Sequence, residues 1–124
     1  MFANTLPQSA HEDLAAIGKS GILKDAYLAG GTALALQLGH RMSVDFDFFT
    51  PASFDTIQVV QQLAKLSAGF TLERTAPGTI LGFVGRTKFS LFEYQYPLLE
   101  ALVPYDSIFL ASPVDISAMK LALI

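Results

Sequence analysis

The stretch that most constrains this chain runs from Gly30 to Phe49, GGTALALQLGHRMSVDFDFF: a double glycine, a run of helix formers, and two aspartates one residue apart. Ahead of it, DAYLAGG is a short apolar run halted by the glycines, which predicts a buried strand entering a tight turn. TALALQLGH carries strong helix formers, with Thr32 placed as N-cap and Gly39 as a C-terminal stop. RMSVDFDFFT then alternates with period two. Val44, Phe46 and Phe48 fall on one face, Ser43, Asp45, Asp47 and Phe49 on the other, and Pro51 ends the run. The double glycine therefore sits between a strand and a helix, one helix away from a strand bearing paired acids.

The flanking sequence supplies the rest of a layered fold. HEDLAAIGKSGIL places Leu14, Ile17 and, after a break at Gly18, Ile22 near helical spacing. ASFDTIQVVQQLAKL has Phe54, Ile57, Val60 and Leu63 or Ala64 at helical intervals, which predicts a crossing helix with a polar outer face. FTLERTAPGTILGFVGRTKFSLFEYQY reads as short strands punctuated by PG, LG and VGR, a small meander or hairpin. SPVDISAMKLALI offers Ser112 as N-cap and Pro113 at the first helical position, with no stop signal before Ile124. The order predicts an α/β or α+β fold, one mixed sheet flanked by helices, in a single domain spanning 1–124. The unterminated last helix reads as C-terminal truncation of a longer helical region.

Composition narrows the partners. Eight Lys+Arg against eleven Asp+Glu give a net charge of -3, so no global positive field draws in nucleic acid and any RNA contact has to be local. Apolar residues make up 52% and charged residues 15%, which excludes a disordered chain and leaves apolar surface for a protein partner or a homo-oligomer. Zero cysteines exclude disulfides and thiolate metal sites. The N-terminus lacks a signal-peptide pattern and no apolar run approaches the ~20 residues that span a bilayer. The reading is a cytoplasmic protein with no membrane segment.

The paired acids and the glycines suggest one chemistry. Carboxylates at i and i+2 of a strand project from one face roughly 7 Å apart along the backbone, and they repel unless a cation lies between them. Mg2+ prefers oxygen ligands and is typically held by one or two carboxylates plus substrate phosphates, which makes Asp45 and Asp47 the candidate metal ligands. Gly30 and Gly31 let backbone N–H groups approach a phosphate, the Thr32 hydroxyl would add a contact, and Arg41 would offer a forked donor. Ser43, on the acidic face, joins these nucleotide-binding candidates. The expected reaction is in-line phosphoryl or nucleotidyl transfer. The two histidines, His11 and His40, make no metal-ligand spacing, and the Phe46, Phe48, Phe49, Phe89, Phe92, Tyr94 and Tyr96 cluster reads as core.

LAGGTALALQLGHRMSVDFDFFT, together with YPLL and the closing SPVDISAMKLALI, resembles the AbiEii/AbiGii-like abortive-infection toxins. The resemblance implies a polymerase-β-like minimal nucleotidyltransferase fold, with a nucleoside triphosphate near Gly30, Gly31 and Thr32 and Mg2+ on Asp45 and Asp47. It also implies a DxxxxK motif, matched by Asp115 and Lys120, with Lys120 directed at the nucleotide and Asp115 capping or orienting. The implied function is transfer of a nucleotide from NTP to an acceptor hydroxyl, with tRNA the leading acceptor, by the toxin of a toxin-antitoxin pair whose antitoxin is the protein partner. Where the superfamily carries a third carboxylate on a later strand, this chain has Ser90, with Glu93 on the opposite pleat face. That departure keeps a rival reading in play: a truncated, catalytically silent nucleotide-binding or interaction module.

Overall fold

The run before the double glycine forms β1, Tyr27–Ala29, with all three residues buried, and the chain then turns at once into α2, Gly30–Leu38. The computed structural model describes residues 1–2, 6–39 and 45–122. The expectations placed on His40, Arg41, Ser43, Val44 and Ile124 lie outside the described residues. The aspartate run becomes β2, Phe46–Thr50, after which α3, Thr56–Leu63, crosses to the meander β3, Phe70–Ala76, β4, Thr79–Val84, and β5, Thr87–Glu93. Helix α1, Gln8–Ser20, precedes β1, and β6, Val103–Tyr105, β7, Ile108–Leu110, and α4, Pro113–Ala122, follow the meander.

These strands make one seven-stranded mixed sheet in the order β3-β4-β5-β2-β1-β7-β6. β2 is central, antiparallel to β1 and parallel to β5, and it pairs Ala29 with Asp47 on one side and Asp47 with Ser90 on the other. Helix α2 packs on β1, β2 and α4, and α3 packs on β3 and β4. The largest buried side chains, Phe46, Phe48 and Phe89 among them, lie on these central strands. Phe48 and Phe89 meet at 5.8 Å between ring centroids, and Phe49 packs on Phe92 at 5.5 Å, contacts of a kind that add about 0.5–1.5 kcal/mol beyond area burial. The aromatic cluster is thus core, except that Tyr96 is 72% exposed.

Four local expectations need correction. Helix α2 begins at Gly30 with Ala29 as N-cap, so Thr32 lies inside the first turn and is not the N-cap. Gly18 does not break α1, which runs on to Ser20; a Cβ there would collide with the Ser107 side chain and Ile108, so the glycine lets the helix lie against the turn joining β6 and β7. In α3 the Asp55 carboxylate caps Gln58 N–H at 3.1 Å and the helix buries Val59 and Leu63, leaving Ile57 70% exposed. The β6–β7 hairpin was not foreseen: its strands are three residues long and one contains Pro104, so no alternation develops. The stops and caps at Gly39, Ser112 and Pro113 are as expected. Among the described residues no helix is long and apolar enough to cross a membrane.

Candidate active site

Asp47 stands at the centre of the site because three neighbours, two in the sheet and one at the start of α2, define its surroundings. Across the β1–β2 ladder it faces Ala29, the residue before the double glycine. Gly30 adopts φ +70, and a Cβ on it would lie 2.5 Å from Asp47 Oδ2, so this position needs glycine for its backbone and for its space. Across the β2–β5 ladder lies Ser90, whose hydroxyl donates to Asp47 Oδ1 at 2.8 Å. Oδ2 takes no hydrogen bond from any described residue. Burial pushes the Asp47 carboxyl above the usual carboxylate range; the Ser90 hydrogen bond opposes this, while the charge of Asp45 adds to it and that of Lys88 subtracts.

A cavity of about 500 Å³ opens beside this carboxylate. Its polar rim is Gly30, Gly31, Asp47 and Lys120, and its apolar wall is Phe49, Phe92, Ile116 and Met119. Lys120 reaches the rim from α4, a helix fixed at its start by Asp115. That carboxylate is 2% exposed and accepts from Leu99 N–H at 2.7 Å, Glu100 N–H at 2.9 Å and the Ser112 hydroxyl at 3.2 Å. Ser112 in turn accepts from the Asp115 N–H at 3.1 Å, closing the N-terminal cap. So the aspartate of the DxxxxK pair sets the helix and the loop before it, and five residues on, the lysine is delivered to the cavity.

A family model described as nucleotidyl transferase AbiEii toxin, Type IV TA system, matches residues 12–118. The chain belongs to the AbiEii family. It is 42% identical over 119 residues to an uncharacterized protein of Aquifex aeolicus, covering 93% of this chain and 57% of that one. Two solved structures from Helicobacter pylori, one described as a nucleotidyltransferase, share 19% identity. Their TM-scores are 0.57 and 0.58, covering 91% and 96% of this chain and 56% and 59% of theirs. This likeness shows the fold, a mixed sheet flanked by helices. The chain spans little more than half the length of these relatives.

Within this AbiEii fold, four of the expected residues gather at one place: Gly30, Gly31, Asp47 and Lys120. Asp45 is exposed and lies one residue before β2, near enough for its charge to act on Asp47 but not among the cavity walls. Thr32 departs from its expected role. It is fully buried, and its hydroxyl donates to the Asp45 carbonyl, so it ties the aspartate segment to α2 instead of presenting an oxygen to a phosphate. Arg41 and Ser43 lie outside the described residues. Among the described residues no group of three His, Asp or Glu side chains is gathered to hold an ion. The apolar wall was unreadable in advance because its members come from β2, β5 and α4, which only the sheet order brings together.

Proposed function

We propose that this domain is a Mg2+-dependent nucleotidyltransferase that moves a nucleotide from a nucleoside triphosphate to an acceptor hydroxyl. The observation that carries the reading is the juxtaposition of Asp47, the Gly30 turn and Lys120 around one cavity. The donor set suits Mg2+: Asp47 Oδ2 is a hard oxygen without a described donor, and one carboxylate with substrate phosphates is a usual Mg2+ set, to which the neighbouring Asp45 would add a second. Mg2+ on these residues would neutralise triphosphate charge and stabilise the leaving pyrophosphate. Gly30 and Gly31 leave the backbone open to a phosphate, and Lys120, which lines the same cavity, would supply an ammonium to meet its charge. The apolar wall of Phe92, Ile116 and Met119 accommodates the uncharged part of the nucleotide and keeps water from the reacting phosphate.

RNA is the acceptor we favour, with tRNA first, and the biological role is that of a toxin held in check by a protein antitoxin; membership of a Type IV TA family supports the toxin role. With a net charge of -3, RNA is held locally rather than by the field of the whole domain. The reading places the protein in the cytoplasm, where these partners are. Incubating the chain with labelled NTPs, Mg2+ and total tRNA tests this. Labelled RNA is expected from the wild type, and none from Asp45→Ala or Asp47→Ala when both variants melt cooperatively; unchanged transfer in both would sink the reading. The second reading, a catalytically silent nucleotide-binding or interaction module, is favoured by Ser90 standing beside Asp47 where a third acid is expected, and labelled acceptor would reject it.

A further inference from the structure

The two oxygens of Asp47 have different surroundings. Oδ1 accepts a hydrogen bond at 2.8 Å from Ser90, a residue 5% exposed and held directly opposite by the parallel β2–β5 register. Oδ2 lies over Gly30, where the absence of a side chain leaves it facing the turn and the cavity. A carboxylate arranged in this way presents one oxygen to an ion, because rotating to offer both would break the Ser90 bond or press Asp47 against Gly30. Divalent cations differ in what they take from a carboxylate. Mg2+ demands near-octahedral geometry at about 2.1 Å and accepts single oxygens, whereas Ca2+ takes about six to eight ligands and readily binds a carboxylate through both oxygens.

We infer that Ser90 is a specificity-determining residue for the cation: by occupying Oδ1 it keeps Asp47 a one-oxygen ligand and so favours Mg2+ over Ca2+. The inference rests on the metal-dependent reading of the site above. Ser90 acts through Asp47 and is a positioning residue, with no contact to substrate required of it. Loss of its hydroxyl frees Oδ1 to turn toward the ion, which removes the orientation that Mg2+ needs and adds a ligand that Ca2+ can use. Outer hydrogen bonds of this kind typically change metal affinity by about 10–100-fold.

The test uses Mn2+ as a paramagnetic probe, following its free signal as Mg2+ or Ca2+ displaces it from the wild type, Ser90→Ala, Ser90→Thr and Asp47→Asn. We expect Mn2+ to bind the wild type and not Asp47→Asn, and Mg2+ to compete about 10-fold less well in Ser90→Ala while Ca2+ changes by less than about threefold. Ser90→Thr, which keeps the hydroxyl, restores most of the wild-type ratio. Equal weakening of both cations in Ser90→Ala, or an unchanged ratio, overturns the inference while leaving the metal site standing. Mn2+ that fails to bind the wild type, or binds Asp47→Asn as well, overturns the metal reading and the inference together.

Discussion

Asp115 and Asp47 are both drawn in from solvent, the first fully and the second in part, and their surroundings differ in kind. Asp115, at the start of α4, is almost wholly buried, and its two oxygens accept from two backbone N–H groups and a serine hydroxyl. Asp47, on the central strand, is less buried, yet among the described residues its carboxylate takes a single hydrogen bond, from Ser90, and its second oxygen lies over the glycine turn beside a cavity. The first carboxylate is compensated by the protein itself, so its charge holds two segments together. The second is left partly uncompensated, and burial accordingly pushes its carboxyl above the ordinary range. Residues of one chemical type thus divide into framework and candidate site according to how many donors the fold supplies.

Removing Asp115 gives the largest effect on stability. Asp115→Ala leaves the Leu99 and Glu100 N–H groups without their acceptor and should cost about 2–4 kcal/mol, read by urea unfolding; a cost under about 0.5 kcal/mol would break the contrast between the two aspartates. Gly30→Ala comes next. It forces a Cβ onto Asp47 Oδ2 at a residue with φ +70, and we expect a loss of about 1–3 kcal/mol together with loss of Mg2+-dependent nucleotide binding.

Asp47→Asn should move stability the other way. Because burial raises the Asp47 proton affinity in the folded chain, the native state binds more protons than the unfolded state between the ordinary value of 3.8 and the raised one. Wild-type stability therefore falls as pH rises through that window, and the ionised carboxylate carries its full penalty above it. The asparagine variant lacks this penalty. Its Tm at pH 7 should exceed that of the wild type, with the difference closing toward about pH 4. A lower Tm at pH 7 would mean that Asp47 is compensated as Asp115 is. Lys120→Gln should shift stability by less than about 0.5 kcal/mol, since the side chain is exposed, while weakening NTP binding about 10-fold.

A smaller contrast of the same kind concerns Tyr27. Its hydroxyl is buried with no hydrogen-bond partner among the described residues, and burial, with Tyr94 and Asp115 nearby, pushes the phenol up to about 12. Tyr27→Phe should be neutral or stabilise by up to about 1 kcal/mol in thermal melts.

Much of this was legible in the sequence where the signal is local. The glycine turn, the stop at Gly39, the Ser112–Pro113 helix start and the aspartate strand all follow from residues within a few positions of one another, and the structure agrees. What was not legible depends on partners distant in the chain. Thr32 is turned to the Asp45 carbonyl thirteen residues away, Gly18 is read as a helix break until Ile108 is seen against it, and Asp115 is explained by a loop sixteen residues earlier. The same holds for the candidate site. Gly30 and Asp47 belong to one motif, but their contact, and the placement of Lys120 and Ser90 beside them, come from the order of strands in the sheet.

The most direct test of the central claim, that the under-compensated Asp47 anchors a metal-nucleotide site, is calorimetric titration of each NTP into the wild type and Asp47→Asn, with and without Mg2+. The account predicts binding by the wild type only when Mg2+ is present, and none by the variant despite its higher Tm. Binding of equal strength in the variant, or binding indifferent to Mg2+, would contradict it.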